Sequence, residues 1–127
     1  MAGWFAVALG GAIGSVARHA VNSVVLHVWP TLRFPIATTV INLMGSVMFG
    51  ALAGLLSSRN APMPLHWREF VFIGLLGGFT TFSTFAFETV SLLRSGPVEY
   101  AVLSVVVQVV GGVAGLYGGM LIAARLA

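Results

Sequence analysis

The chain has 127 residues, 58% of them hydrophobic and only 7% charged, whereas ordinary soluble domains carry about a quarter charged residues. That balance excludes a soluble globular fold and makes lipid the solvent for most of the surface. The net charge of +3 comes from six scattered arginines, no lysine and three glutamates. It reflects scarcity of acid, and it argues against nucleic-acid binding, which needs cations clustered on one face. With no cysteine present, disulfides, thiolate catalysis and Cys-type metal sites are excluded.

Four apolar stretches are each long enough to cross a bilayer as a helix: about residues 4–27, 36–58, 67–94 and 98–124. The first lacks the basic start and small-residue cleavage site of a signal peptide, so it reads as a retained span. It carries Arg18 and ends at Trp29 and Pro30, an interfacial aromatic followed by a helix breaker. Span two is opened by Pro35, a residue suited to a first helical turn. The loop over 59–67 holds two prolines and much of the polar character of the chain.

Span three is unusual. Its middle reads Gly77-Gly78-Phe79-Thr80-Thr81-Phe82-Ser83-Thr84-Phe85, where paired glycine and four hydroxyl residues are poor helix formers. A break is expected near residues 77–81, with Gly77 rejecting a side chain because a Cβ there would block it. Non-helical backbone at membrane depth survives only where protein or a water-filled cavity covers it, and interrupted helices near the midplane are where transporters bind ions. Span four carries Gly111, Gly115 and Gly119 at four-residue spacing, a pattern repeated by Gly10 and Gly14 and by Gly50 and Gly54. These stripes read as faces for close helix packing.

The fold class is therefore an all-α membrane protein, a single domain of four transmembrane helices with the third broken. Four helices are too few to enclose a water-filled pore, so oligomerisation is expected. With the N-terminus on side A, Arg59, Arg68 and Arg125 fall on that side, against Arg33 and Arg94 on side B with Arg18 in the B-side half. That balance leaves the positive-inside rule almost no preference and permits an antiparallel homodimer; a single arginine or the loop prolines deciding one orientation is the alternative.

The polar residues inside the spans are Arg18, Thr38, Asn42, the cluster from Thr80 to Thr84, Glu88, Ser104 and Gln108. They form no nucleophile, base and acid set, so an enzyme is not expected. Phe82 and Phe85 share a helical face; they read either as packing or, with positive ring edges, as an anion-attracting pair without a trapping charge. Asn42 offers two amide donors, for an interhelical hydrogen bond or for an anion.

These residues together resemble the Fluc (CrcB) family of fluoride channels. The resemblance covers nearly the whole chain: Gly10-Gly11-Ala12-Ile13-Gly14 with Arg18, Phe34-Pro35 followed by Thr38 and Asn42-Leu43-Met44-Gly45, and above all residues 77–85 with Glu88 shortly after. It implies an antiparallel, dual-topology homodimer with two pores that exports fluoride passively across the cytoplasmic membrane. It makes Phe82, Phe85, Asn42, Thr38 and Ser83 the anion-pore residues. It also makes the backbone carbonyls of Gly77 and Thr80 the ligands of a central structural sodium ion, a hard cation suited to oxygen. Ala37, where the family often has glycine, and Ser104, Gln108 and Gly112 on span four depart from its pattern. Two other classes compete: a proton-coupled drug exporter, which would centre on a span-one carboxylate that is missing here, and a purely structural assembly protein. Anion flux without a proton gradient separates the channel from the exporter.

Overall fold

The computed structural model describes residues 1–58 and 62–126. It is all-helical, with no strand among those residues. Four helices are long and apolar enough to cross a membrane: Ala2–Val28, Ile36–Ser58, Leu65–Ser95 and Val98–Leu126. They match the expected spans within three residues at each end. We label the first two α1 and α2. The third consists of α3, residues 65–79, and α4, Phe82–Ser95, and the last is α5, Val98–Leu126. Arg59, counted above on the N-terminal side, lies outside the described residues.

Local chemistry sets the helix ends. The Pro35 carbonyl accepts from the Thr39 N–H at 3.1 Å and closes the first turn of α2. Thr81 is the N-cap of α4, its hydroxyl accepting from the Thr84 N–H, which satisfies one of the donors every helix start leaves free. Gly96 and Pro97 turn the chain from α4 into α5.

Two glycine-lined pairings organise the bundle. In the first, α1 lies against α3: a Cβ on Gly10 would strike the Phe70 carbonyl, and one on Gly14 the Leu75 carbonyl. From the other side, a Cβ on Gly74 would come within 2.8 Å of the Val7 carbonyl and one on Gly78 within 2.7 Å of the Gly11 carbonyl. In the second, α2 lies against α5, where Gly50 faces the Leu116 carbonyl, Gly54 the Met120 carbonyl and Gly119 the Val47 carbonyl. Where hydrocarbon surrounds the protein, backbone approach of this kind replaces the hydrophobic effect as the source of helix pairing.

The glycine pair in the third span therefore serves a different purpose from the one expected. Gly77 and Gly78 are helical; the extended residues are Thr80, with φ −79° and ψ 160°, and Thr81, with φ −150° and ψ 111°. Gly78 is needed because α1 passes too close for a side chain. Gly77, expected to reject a Cβ, has room for one, the nearest atom being the Phe72 carbonyl oxygen at 3.7 Å. Gly78→Ala is accordingly expected to lower stability by about 1–3 kcal/mol, while Gly77→Ala stays within about 0.5 kcal/mol. Thermal unfolding of the two variants in detergent compares them directly; a larger loss from Gly77→Ala would contradict this assignment.

Two stretches are wound as π-helix, Glu69–Leu76 in α3 and Val107–Gly111 in α5. Such wide turns gather at functional sites, and both contribute residues to a cleft that Thr80 and Thr81 also line. Nothing in the composition of these segments announces them.

Candidate functional site

In an uninterrupted helix the Thr81 N–H would return to the Gly77 carbonyl and the Thr84 N–H to the Thr80 carbonyl. Both donors are spent elsewhere. The Thr81 N–H donates to Asn42 Oδ1 at 2.9 Å, and the Thr84 N–H donates to Thr81 Oγ1 at 3.3 Å. The carbonyls of Gly77 and Thr80, the two oxygens that the resemblance assigns to a sodium ion, thus lose their helical donors.

Asn42 makes a two-point clamp on the extended backbone. While its Oδ1 accepts from Thr81, its Nδ2 donates to the Thr81 carbonyl at 3.1 Å. The second Nδ2 proton goes to Gln108 Oε1 at 2.7 Å, and Gln108 Nε2 donates onward to Ser104 Oγ at 2.9 Å. An amide nitrogen has two protons, so Asn42 has none left over in this arrangement. Ser104 is fully buried and Gln108 nearly so. The row Thr81, Asn42, Gln108, Ser104 joins the interrupted span to α2 and α5.

Beside this row lies a cleft of about 340 Å³ whose wall includes Asn42, Gly77, Thr80, Phe82, Phe85 and Gln108. The Phe82 and Phe85 rings stand 5.6 Å apart at 60°. They differ sharply in exposure: Phe85 is 9% accessible and Phe82 is 78% accessible. Packing within one chain accounts for Phe85 but not for Phe82. The same cleft is bounded by Phe49 and Phe72, whose rings meet edge to face at 4.8 Å.

Thr38 and Ser83 stand apart from the phenylalanines. They line a separate cleft of about 500 Å³ together with Ser15, Arg18, His19 and Asn22. Thr81 is common to both clefts. The Thr38 hydroxyl is also committed, donating to Glu88 Oε1 at 2.8 Å, and the other Glu88 oxygen, buried, has no partner among the described residues. The resemblance makes Asn42, Thr38, Phe82, Phe85 and Ser83 the anion-pore residues of a two-pore dimer; within one chain the structure gathers Asn42, Phe82 and Phe85, and sets Thr38 and Ser83 in another cleft. The Asn42–Gln108 bond and the Phe49–Phe72 pair were missed. Two amides deep in spans must satisfy each other or the backbone where water is absent, and that signal could have suggested the first. The second depends on helix packing alone.

The composition, the four apolar helices and the motif in residues 77–85 converge with a family comparison: the model of the CrcB-like protein family, Camphor Resistance (CrcB), matches residues 5–120. The chain belongs to the CrcB family. Among its relatives, the fluoride-specific ion channel FluC 2 of Nitrobacter hamburgensis is 41% identical over 121 residues, covering 94% of this chain and 95% of the relative. The fluoride-specific ion channel FluC of Methylobacillus flagellatus is 46% identical over 106 residues, 84% of this chain and 82% of its own length. That of Hyphomonas neptunium is 42% identical over 126 residues, 99% of this chain and 98% of its own length. These CrcB relatives are named as ion channels, so the family is one of transport proteins rather than enzymes. Taken with the four apolar helices, CrcB membership makes the chain a multi-pass membrane protein.

Proposed function

We propose that this protein is a fluoride-selective passive channel of the cytoplasmic membrane, which relieves fluoride toxicity by letting the ion leave the cell. The observation that carries this reading is identity of about 40% over nearly the whole chain to proteins named fluoride-specific ion channels. The site chemistry agrees with it: a cleft walled by phenylalanines, amides and hydroxyls offers an anion favourable contacts without a cationic side chain that would hold it. Hydrogen fluoride, a weak uncharged acid, crosses lipid and dissociates inside. A passive pore then lets the negative-inside potential expel the anion.

The working unit in this proposal is an antiparallel, dual-topology homodimer with two pores. Phe82, exposed beside the polar row, agrees with it, although lipid would cover an apolar ring equally well. So does the cleft holding Arg18, His19, Asn22 and Ser83, because polar groups at membrane depth must be covered by protein. A second copy also brings Thr38 and Ser83 toward a shared path, where they serve as pore residues with Phe82, Phe85 and Asn42. The interruption of the third span at Thr80 and Thr81 is the feature around which the two copies meet.

Sodium fits the same centre. The Gly77 and Thr80 carbonyls, relieved of helical donors, are hard neutral oxygens of the type such a cation takes, and two copies supply four of them. Bound there, the ion would supply positive charge tying the two copies together and would not itself be transported.

Efflux from proteoliposomes tests the function. Fluoride is expected to leave rapidly under a membrane potential with no pH gradient, with negligible chloride efflux. Fluoride movement that required a proton gradient would instead identify a coupled exporter.

A further inference from the structure

The reading of Asn42 as a pore-wall amide raises a question about its second proton, and the following inference rests on that reading. The orientation of both amides is set by chemistry. The Thr81 N–H can only donate, so it must face Asn42 Oδ1. Nδ2 is then the atom turned to Gln108, which must answer with its oxygen, and Gln108 Nε2 is left to face Ser104 Oγ. The one Asn42 proton not spent on the interrupted backbone therefore ends on Gln108 Oε1, at the wall of the cleft.

We propose that Gln108 is a place-holding ligand: its Oε1 occupies the Asn42 N–H that an arriving anion uses, and the anion enters the site by displacing it. A desolvated donor left without an acceptor is costly, so an empty site needs such an occupant. Gln108 provides it from a π-helical turn of α5 while remaining tethered to Ser104 through Nε2. An anion competes by forming a charge-assisted hydrogen bond, stronger than the neutral one between two amides. The exchange favours an anion that accepts hydrogen bonds strongly, as compact fluoride does, and disfavours one that accepts weakly, as diffuse chloride does. Gln108 thus sets a threshold of acceptor strength at the site. The clamp on Thr81 is untouched by the exchange, because it uses the other Nδ2 proton and Oδ1.

The test is the fluoride dependence of efflux from proteoliposomes containing the parent, Gln108→Leu or Gln108→Glu, each checked for its oligomeric state in detergent. Removing the competitor in Gln108→Leu is expected to lower the half-saturating fluoride concentration by roughly three- to tenfold and to raise chloride leak. Gln108→Glu keeps the acceptor and adds negative charge, so it is expected to shift the half-saturating concentration the other way. A merely structural role would impair both variants alike. An unchanged or raised half-saturating concentration in Gln108→Leu overturns the proposal, and if that variant does not fold, Gln108→Ala is read by the same criterion. Absence of fluoride efflux in the parent would instead refute the channel reading itself, so the two failures are told apart.

Discussion

Asn42→Leu is expected to abolish fluoride flux and to lower stability together, the largest combined effect of any single substitution in the site. Leucine keeps much of the bulk but removes every polar atom of the clamp. The Thr81 N–H then loses its acceptor and Gln108 Oε1 its donor, and the Thr81 carbonyl loses the Nδ2 contact. Each buried polar group left unpaired costs about 1–3 kcal/mol. Thr81 is buried and has no helical partner to fall back on, so the interruption itself is expected to rearrange. Thermal unfolding and proteoliposome flux measured on one preparation check both effects. Asn42→Asp is the informative companion, for it keeps the acceptor of the Thr81 N–H and loses the Nδ2 protons. If the clamp and the pore roles are separate, it retains more stability than the leucine variant while still losing flux. Parent-like flux in Asn42→Leu would remove Asn42 from the pore.

The second large effect is expected at the two phenylalanines, and the structure gives them different signatures. Isoleucine keeps most, though not all, of the apolar bulk while lacking the positive ring edge. Both Phe82→Ile and Phe85→Ile are expected to cut fluoride flux by at least roughly tenfold, the equivalent of about 1.4 kcal/mol of lost anion stabilisation. Phe85 is buried inside its own chain, so its replacement also leaves unfilled volume and lowers the unfolding temperature. Phe82 is exposed within one chain; its replacement is expected to leave that chain's fold unchanged and to be felt only in conduction and in association of two copies. Flux assays paired with size-exclusion chromatography separate these effects. If both variants conduct like the parent, the rings are packing, and the pore must run along other residues.

Several features of the site were legible before any coordinates. Glycine, threonine and serine crowded into residues 77–85 are poor helix formers, and an interruption was expected there. It falls at the far end of the expected range, at Thr80 and Thr81, because two demands overlap in that string. Gly78 answers to the approach of α1 and stays helical, while Thr80 and Thr81 leave the ladder because Asn42 offers their backbone an alternative partner. Residue type reveals that a segment is a poor helix; it does not reveal which distant side chain takes the released hydrogen bond. The same limit applies to Thr38, which the resemblance makes a pore residue and whose proton is given to Glu88, fifty residues away.

The sequence alone determined that this chain lives in lipid, with four apolar spans, a poor helix former in the third and glycine stripes for close packing, because hydropathy, length and backbone propensity are local quantities summed along the chain. Tertiary structure decided everything that depends on two segments meeting. It set Gly74 and Gly78 against α1, turned Asn42 onto Thr81 and Gln108, separated Thr38 and Ser83 from the phenylalanine cleft, and left Phe82 exposed while burying Phe85. Helix rotation and wide π-turns govern such meetings, and a rotation of a few tens of degrees exchanges one facing residue for another without altering the apolar pattern that lipid reads.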